Sequence, residues 1–310
     1  MKIVYHAAAG PDLAARLARL EGLSVSVCRE EDSETLNRLL PDCDVLWHVL
    51  QPCTAGMIAA APRLKLIQKI GVGVNTIDLE AAKQRGIPVC NLPGTNARAV
   101  AELTLGLMLS VLRRIPAFDR GLRSGTWTDP ALQDGINELG GRTVGLVGFG
   151  AIPKILTPIL GAMGCSVRYY ARNRVADAIA EYRDFDRLLA EADIVSLHLP
   201  LVPETRRMVD AAALARMKPG SILINTARGG LVDQPALIRA LESGRLAGAG
   251  LDVFETEPLA PEDPLPALPN VVVTPHIGWL TTGTFDRSFA LAAENCHRVA
   301  SGAPLLHRVV

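Results

Sequence analysis

The chain has 310 residues, 49% hydrophobic and 21% charged, which is enough to bury the cores of two ordinary domains. Its 32 lysines and arginines balance 32 aspartates and glutamates, so it lacks the electrostatic footprint of a nucleic-acid partner or an anionic membrane surface. The longest apolar run, Leu103 to Leu112, lies between Glu102 and Arg113 and is about half of the ~20 residues that cross a bilayer, so no transmembrane segment is expected.

After Met1 the chain enters a strand-like run at once, without the long apolar stretch of a secretory signal, and a cytoplasmic location is the expectation. Strands are expected over residues 3–5, 25–28, 45–49, 66–70 and 89–91, separated by Ala- or Leu-rich periodic segments. Such alternation predicts parallel βα units. A single long helix is expected over 97–122, where "ARAVAELTLGLMLSVLRRI" is apolar around most of its circumference before Pro116. A helix this greasy must be covered by another domain or a second subunit, and a homodimer follows from the latter.

A second βα series opens at Thr143, with strands expected at 167–170, 194–199, 221–225, 248–253 and 271–274 and a final helix at 285–301. No further strand is left for that helix in the second series, so it is expected to return to the first. The boundary is placed near Arg98, giving a substrate domain over 1–98, completed by 283–310, and a dinucleotide domain over 99–282. "EPLAPEDPLPALPN" reads as a surface loop with stiff turns. Cys28, Cys43, Cys53, Cys90, Cys165 and Cys296 form no CxxC pair, so buried reduced thiols are expected rather than disulfides or a metal site.

"TVGLVGFGAIP" supplies a β-branched strand followed by Gly148 and Gly150, the first two positions of G-x-G-x-x-G. The first glycine permits a tight turn. The second lets a pyrophosphate approach the backbone at the start of a helix, beside Ala151 and Ile152. Proline stands at 153, where the third glycine belongs. It pushes Ile152 from helical dihedrals, so the helix is expected to start a residue or two late around a retained but distorted phosphate turn. Two glycines after a strand also describe a plain turn.

At the end of "CSVRYYARNR" the ribose-binding acid is absent, and Ala171 is followed by Arg172, Asn173 and Arg174. A carboxylate there would repel a 2′-phosphate, whereas arginine attracts it. NADP(H) is therefore favoured over NAD(H), unless both arginines are only solvated loop charges.

"NTARGG" with "GAGLDVFETEPL", and "NVVVTPHIGW", together with "GVGVNTIDLEAAKQRGI" and "NLPGTNARAVAEL", resemble the D-isomer-specific 2-hydroxyacid dehydrogenases over nearly the whole chain. The resemblance implies two Rossmann-like or flavodoxin-like parallel-sheet α/β domains, with an active-site cleft between them, and a dimer. It assigns Arg228 to the substrate carboxylate and ketone oxygen, Glu257 to orienting and charging the histidine, and His276 to general acid-base catalysis. It further suggests Val72, Gly73 and Asn96 for substrate. For the cofactor it suggests Thr104, Leu199, Pro200, Thr205, Thr226, Ala227, Asp252, His276 and Gly278, with Asp252 at the nicotinamide carboxamide or simply capping a loop. Trp279 resembles a tryptophan of some hydroxypyruvate and glyoxylate reductases, or is a packing residue.

The chemistry asks for the same residue types. Reduction at C2 of a 2-oxo acid builds negative charge on the ketone oxygen, which a fixed guanidinium stabilises, and a histidine paired with a carboxylate delivers the proton. Taken singly, Arg228, Glu257 and His276 each have a duller explanation, but all three follow the ends of predicted strands, where open α/β sheets place ligands. Backbone N–H groups at Val72 and Gly73 would suit a carboxylate. "VLWHVLQP" carries no arginine for a substrate phosphate, which points to glyoxylate, hydroxypyruvate or a somewhat larger 2-oxo acid. The competing reading is a catalytically weak nucleotide-sensing binding protein, as in corepressor relatives of the same fold.

Overall fold

The computed structural model describes residues 1–127, 129–176 and 178–310. The chain folds into two compact units, one formed by Met1–Asn96 with Thr281–Val310 and the other by Ala97–Leu280.

The first unit runs β1 (Lys2–His6), α1 (Pro11–Ala18), β2 (Ser24–Cys28), α2 (Ser33–Leu39), β3 (Val45–His48), α3 (Ala55–Ala59), β4 (Leu66–Lys69), α4 (Leu79–Gln84) and β5 (Val89–Cys90). All five strands are parallel, in the order β2-β1-β3-β4-β5. β3 and β4 are buried at every residue, as strands covered on both faces must be. Three of these helices, α2, α3 and α4, start on side-chain caps: Asp32 accepts from the Thr35 amide, Thr54 from Met57 and Asp78 from Ala81, each satisfying a donor that the helix leaves unpaired.

The second unit begins with α5 (Ala97–Leu112), α6 (Ile115–Arg123) and α7 (Pro130–Gln133), then β6 (Thr143–Val147), α8 (Ala151–Ala162), β7 (Ser166–Tyr170), β8 (Glu181–Tyr182), α9 (Phe185–Glu191) and β9 (Ile194–Leu197). It continues through α10 (Ala211–Arg216), β10 (Ser221–Asn225), α11 (Gln234–Glu242), β11 (Leu246–Leu251) and β12 (Val271–Val273). The parallel sheet has the order β12-β11-β10-β9-β6-β7-β8. Chain direction across the sheet reverses between β6 and β9, which is where doubly wound sheets open a ligand crevice at their carboxyl ends.

The last helix, α12 (Thr282–Ser301), packs on the first unit. Phe289 meets Trp47 at 5.5 Å and Tyr5 at 5.8 Å between ring centroids. Asn295 Nδ2 donates to Gln68 Oε1 at 2.7 Å, and Val309 N donates to Val89 O at 2.7 Å, tying the tail to β5.

Three expectations change. The long helix over 97–122 is two helices, broken at Arg113 and Arg114, with Arg114 left-handed at φ 49°. Pro116 is the cause: continued in one helix, its ring would strike the carbonyl four residues back and its missing N–H would leave that carbonyl unpaired. It sits instead in the first turn of α6, where neither cost arises. The expected late start of the phosphate helix is also wrong. α8 begins at Ala151, directly after Gly150, with Pro153 buried in its first turn, because a residue there has no intrahelical N–H bond to lose. β8 is an addition to the expected strands, being two residues long and paired only with β7.

Candidate active site

β6 ends at Val147 and Gly148 turns the chain at φ +101°. A Cβ on Gly148 would lie 2.5 Å from the His198 carbonyl oxygen, so two backbones converge there and only glycine fits. Gly150 caps α8, and a Cβ there would meet no atom within 4 Å. The space in front of this helix start is therefore open, with unpaired amides at Ala151 and Ile152, as a dinucleotide pyrophosphate requires. Arg172, Asn173 and Arg174 follow β7 and are exposed; the Arg174 guanidinium stacks 4.6 Å from the Tyr182 ring centroid. Nothing in this turn opposes a nucleotide, and the residues present fit one.

β10, β11 and β12 are neighbours in the sheet, and Arg228, Glu257 and His276 lie on the loops that leave their carboxyl ends. His276 Nδ1 lies 2.6 Å from Glu257 Oε2, and the other carboxylate oxygen accepts the Phe254 amide at 2.9 Å. Partial burial raises the Glu257 pKa, but the hydrogen bond and charge of His276, the Phe254 amide and the charge of Arg228 outweigh it and hold the carboxyl below its usual value. Arg228 is largely withdrawn from solvent; burial lowers its pKa while Glu257 opposes the shift, and its Nη1 donates to the Ala227 carbonyl at 2.6 Å. The three groups predicted from sequence thus form one electrostatic cluster within one unit.

The loop carrying His276 is built around Asp252, which is 1% exposed. Its Oδ1 accepts the Thr274 hydroxyl at 2.6 Å and the Ile277 amide at 2.8 Å, and its Oδ2 accepts the Gly278 amide at 2.9 Å. Burial raises its pKa against those three bonds. Of the two roles weighed for Asp252, loop capping is the one these hydrogen bonds display. His276 itself is left-handed at φ 55°, a strained setting for a non-glycine residue. Bonds to its backbone hold it there: its amide donates to the Asp252 carbonyl at 2.8 Å and the Thr274 carbonyl at 3.0 Å, and the Trp279 indole N–H donates to its carbonyl at 3.1 Å. Trp279 is thus a support of the acid-base loop.

Among the other residues expected at the cofactor, Thr104 is fully buried, its hydroxyl 2.9 Å from that of Thr226 and bonded to the Val100 carbonyl at 2.7 Å. Both hydroxyls join α5 to the end of β10. Thr205 closes the turn after β9, which also carries Leu199, by donating to the Pro200 carbonyl at 2.7 Å. Ala227 is half-buried and Gly278 buried. In the first unit, Val72 is exposed, Gly73 half-buried in the loop after β4, and Asn96 half-buried. The Val72 carbonyl accepts from Asn91 Nδ2 at 2.9 Å.

Sequence reasoning missed the braces. Asn225 Oδ1 accepts the Ala227 amide at 3.0 Å and its Nδ2 donates to the Arg228 carbonyl at 2.9 Å, shaping the turn that presents the guanidinium. The one signal for it in the sequence is an amide closing the apolar strand "SILIN". A Cβ on Gly229 would overlap the Phe254 carbonyl, which is how the loops after β10 and β11 come close enough to pair Arg228 with Glu257. No group of three or more His, Cys, Asp or Glu able to hold a metal ion occurs among the described residues.

Residues 105–278 match the D-isomer specific 2-hydroxyacid dehydrogenase, NAD binding domain. The chain belongs to the D-isomer-specific 2-hydroxyacid dehydrogenase family. Within that family it is 44% identical over 256 residues to a glyoxylate reductase of Thermococcus litoralis, covering 79% of this chain and 77% of that one. It is 41% identical over 276 residues to D-3-phosphoglycerate dehydrogenase of Mycobacterium tuberculosis, covering 87% of this chain and 52% of that one. The chain thus spans about half the length of the phosphoglycerate dehydrogenases it matches. A crystal structure of a Thermus thermophilus protein is 40% identical and covers all of both chains with a TM-score of 0.90.

Proposed function

We propose that this family member is a nicotinamide-dependent reductase of small 2-oxo acids, such as glyoxylate or hydroxypyruvate, with NADP(H) preferred over NAD(H). The observation that carries the reading is the 2.6 Å contact of His276 with Glu257 beside Arg228. The cofactor, when bound, donates or accepts a hydride at substrate C2. Arg228 binds the substrate carboxylate and the ketone oxygen, and its charge offsets the negative charge that grows there. His276 delivers the proton to that oxygen in reduction and removes it in oxidation, while Glu257 fixes the ring and stabilises its charged form. In the first unit the Val72 and Gly73 amides take the substrate carboxylate, with Asn96 beside them.

Gly148, Gly150, Ala151 and Ile152 would hold the pyrophosphate, and Arg172, Asn173 and Arg174 the adenosine ribose with its 2′-phosphate. The turn from Leu199 through Pro200 to Thr205, together with Thr226, Ala227 and Gly278, would flank the nucleotide. The relatives' names support a small substrate, and the absent acid after β7 supports NADP(H). Six free cysteines suit a reducing compartment such as the cytoplasm, and no helix among the described residues is long and apolar enough to cross a membrane. An apolar exposed face on α6 supports a homodimer.

The rival nucleotide-sensing reading has no use for a maintained acid-base pair. Purified protein mixed with NADPH or NADH and glyoxylate, hydroxypyruvate, pyruvate or phenylpyruvate should consume the reduced cofactor. Silence across the panel at high protein concentration would favour the sensor.

A further inference from the structure

At the carboxyl edge of the first sheet, His6 pairs in register with His48, and His48 with Lys69, so the three share one face. All three are buried, and His48 and Lys69 hold loops. Lys69 Nζ donates to the Val49 carbonyl, and His48 Nε2 lies 3.1 Å from the Thr76 hydroxyl. The Cys53 amide donates to the Thr76 carbonyl at 2.8 Å, so residues 49–53 and 71–76 form one framework. The second of these segments contains Val72 and Gly73.

Glu30, just beyond β2, reaches into this framework. Its Oε1 accepts the consecutive amides of Leu50 at 3.3 Å and Gln51 at 3.4 Å. Two successive backbone N–H groups converging on one oxygen are the arrangement by which a turn captures an anion, and here the anion is the protein's own. The buried Lys69 ammonium of the same framework is held on the Val49 carbonyl. Burial lowers the His6 pKa despite Glu30, and burial raises that of Tyr5, so both are neutral near pH 7. The segment "VLQPC" at 49–53 brings no cationic side chain.

We propose that Glu30 is a specificity-determining residue, a carboxylate seated on the Leu50 and Gln51 amides that rejects 2-oxo acids bearing a second anionic group. The proposal rests on assigning the substrate carboxylate to Val72 and Gly73. A phosphate or second carboxylate on the far end of such a substrate meets two donors already taken and a like charge, whereas a hydrogen or hydroxymethyl meets neither. Discrimination by an unfavourable charge falls hardest on the substrate that carries the second anionic group.

The test compares kcat/KM for hydroxypyruvate with that for 3-phosphohydroxypyruvate in the wild type, Glu30→Gln and Glu30→Asp. Glutamine still accepts the two amides but carries no charge, and should raise the phosphorylated-to-plain ratio about tenfold, mainly through KM. Aspartate should keep the wild-type ratio, and the wild-type bias should weaken as salt screens it. A ratio within twofold of wild type in Glu30→Gln overturns the proposal. Calorimetric binding of 3-phosphoglycerate and glycerate to the same proteins needs no turnover. There, tighter 3-phosphoglycerate binding to Glu30→Gln supports the filter even if no 2-oxo acid is reduced, and unchanged relative affinity overturns it.

Discussion

Glu257 holds His276 with one carboxylate oxygen, 2.6 Å from Nδ1, and is itself held by the Phe254 amide through the other. The pair is oriented from the backbone outward, so the ring nitrogen that faces Glu257 is fixed. Glu257→Gln preserves shape and removes charge, and kcat should fall by about 10² or more while cofactor affinity stays within a few-fold. Single-turnover rates beside a cofactor titration separate the two effects.

The same carboxyl has a pH signature. Its folded-state pKa is lowered, so its stabilising contribution is complete above the ordinary glutamate value of about 4.3 and disappears as pH falls through the lowered value. The stability gap between wild type and Glu257→Gln should narrow as pH falls below about 4.3 and close once the lowered value is passed. Denaturant midpoints across that range check it, and a gap that widens in acid contradicts the assignment.

Two glycines of one turn should behave oppositely. A Cβ on Gly148 meets the His198 carbonyl and is set at positive φ, so Gly148→Ala should destabilise the second unit by several kcal/mol, beyond the ~1–3 kcal/mol of ordinary strained positions. Gly150 has an open front and φ −90°, so Gly150→Ala should melt like wild type yet raise the cofactor KM about tenfold or more by filling the pyrophosphate approach. Thermal melts and cofactor titrations on both variants read the contrast.

Local pattern made the strands legible, because parallel strands buried on both faces read as apolar runs, while the roles expected of Arg228, Glu257 and His276 came from the family resemblance of the motifs that follow strand ends. What it could not reveal is which side chains support the site. An aspartate after an apolar strand suits either a ligand or a cap, and only the fold shows Thr274, Ile277 and Gly278 turned toward Asp252. Pro116 is visible in the sequence, but not that the chain absorbs it by breaking two residues earlier. The row of His6, His48 and Lys69 depends on register between strands that are far apart in the chain, a relation no local periodicity contains.

Asp252 therefore yields its own prediction. In Asp252→Asn the amide must face three donors with one acceptor oxygen, leaving buried N–H or O–H groups unpaired at ~1–3 kcal/mol each. The melting temperature should drop by several degrees, and kcat should fall because His276 loses its left-handed setting. Asp252→Glu, too long for the pocket, should not rescue either property. Unchanged kcat in a destabilised Asp252→Asn would mean that the loop keeps its geometry without the carboxylate.

The proposed preference for NADP(H) makes Arg172 and Arg174 the residues to test, since hydrogen bonds to a charged phosphate are worth about 1.5–3 kcal/mol. Replacing both with alanine should raise the NADPH KM about tenfold or more and leave that of NADH within about twofold. Arg174 also stacks on Tyr182, so Arg174→Lys, which retains charge but not the planar contact, should fall between wild type and alanine. An unchanged NADPH-to-NADH ratio in the double variant removes the electrostatic basis of the preference.

The association state should depend on the segment behind the Pro116 break. α6 buries none of its own residues, yet exposes Ile115 at 52% and Leu122 at 57%, and Trp127 beyond it is 82% exposed. A cluster of large apolar side chains on one short stretch marks an interaction surface, and a closed twofold contact is the commonest way to cover one. Leu122→Glu should halve the mass seen by light scattering without lowering the melting temperature of the second unit's core, since Leu122 is 57% exposed and belongs to neither buried cluster described for that unit. A wild-type protein that already sediments as a monomer at micromolar concentration overturns the dimer.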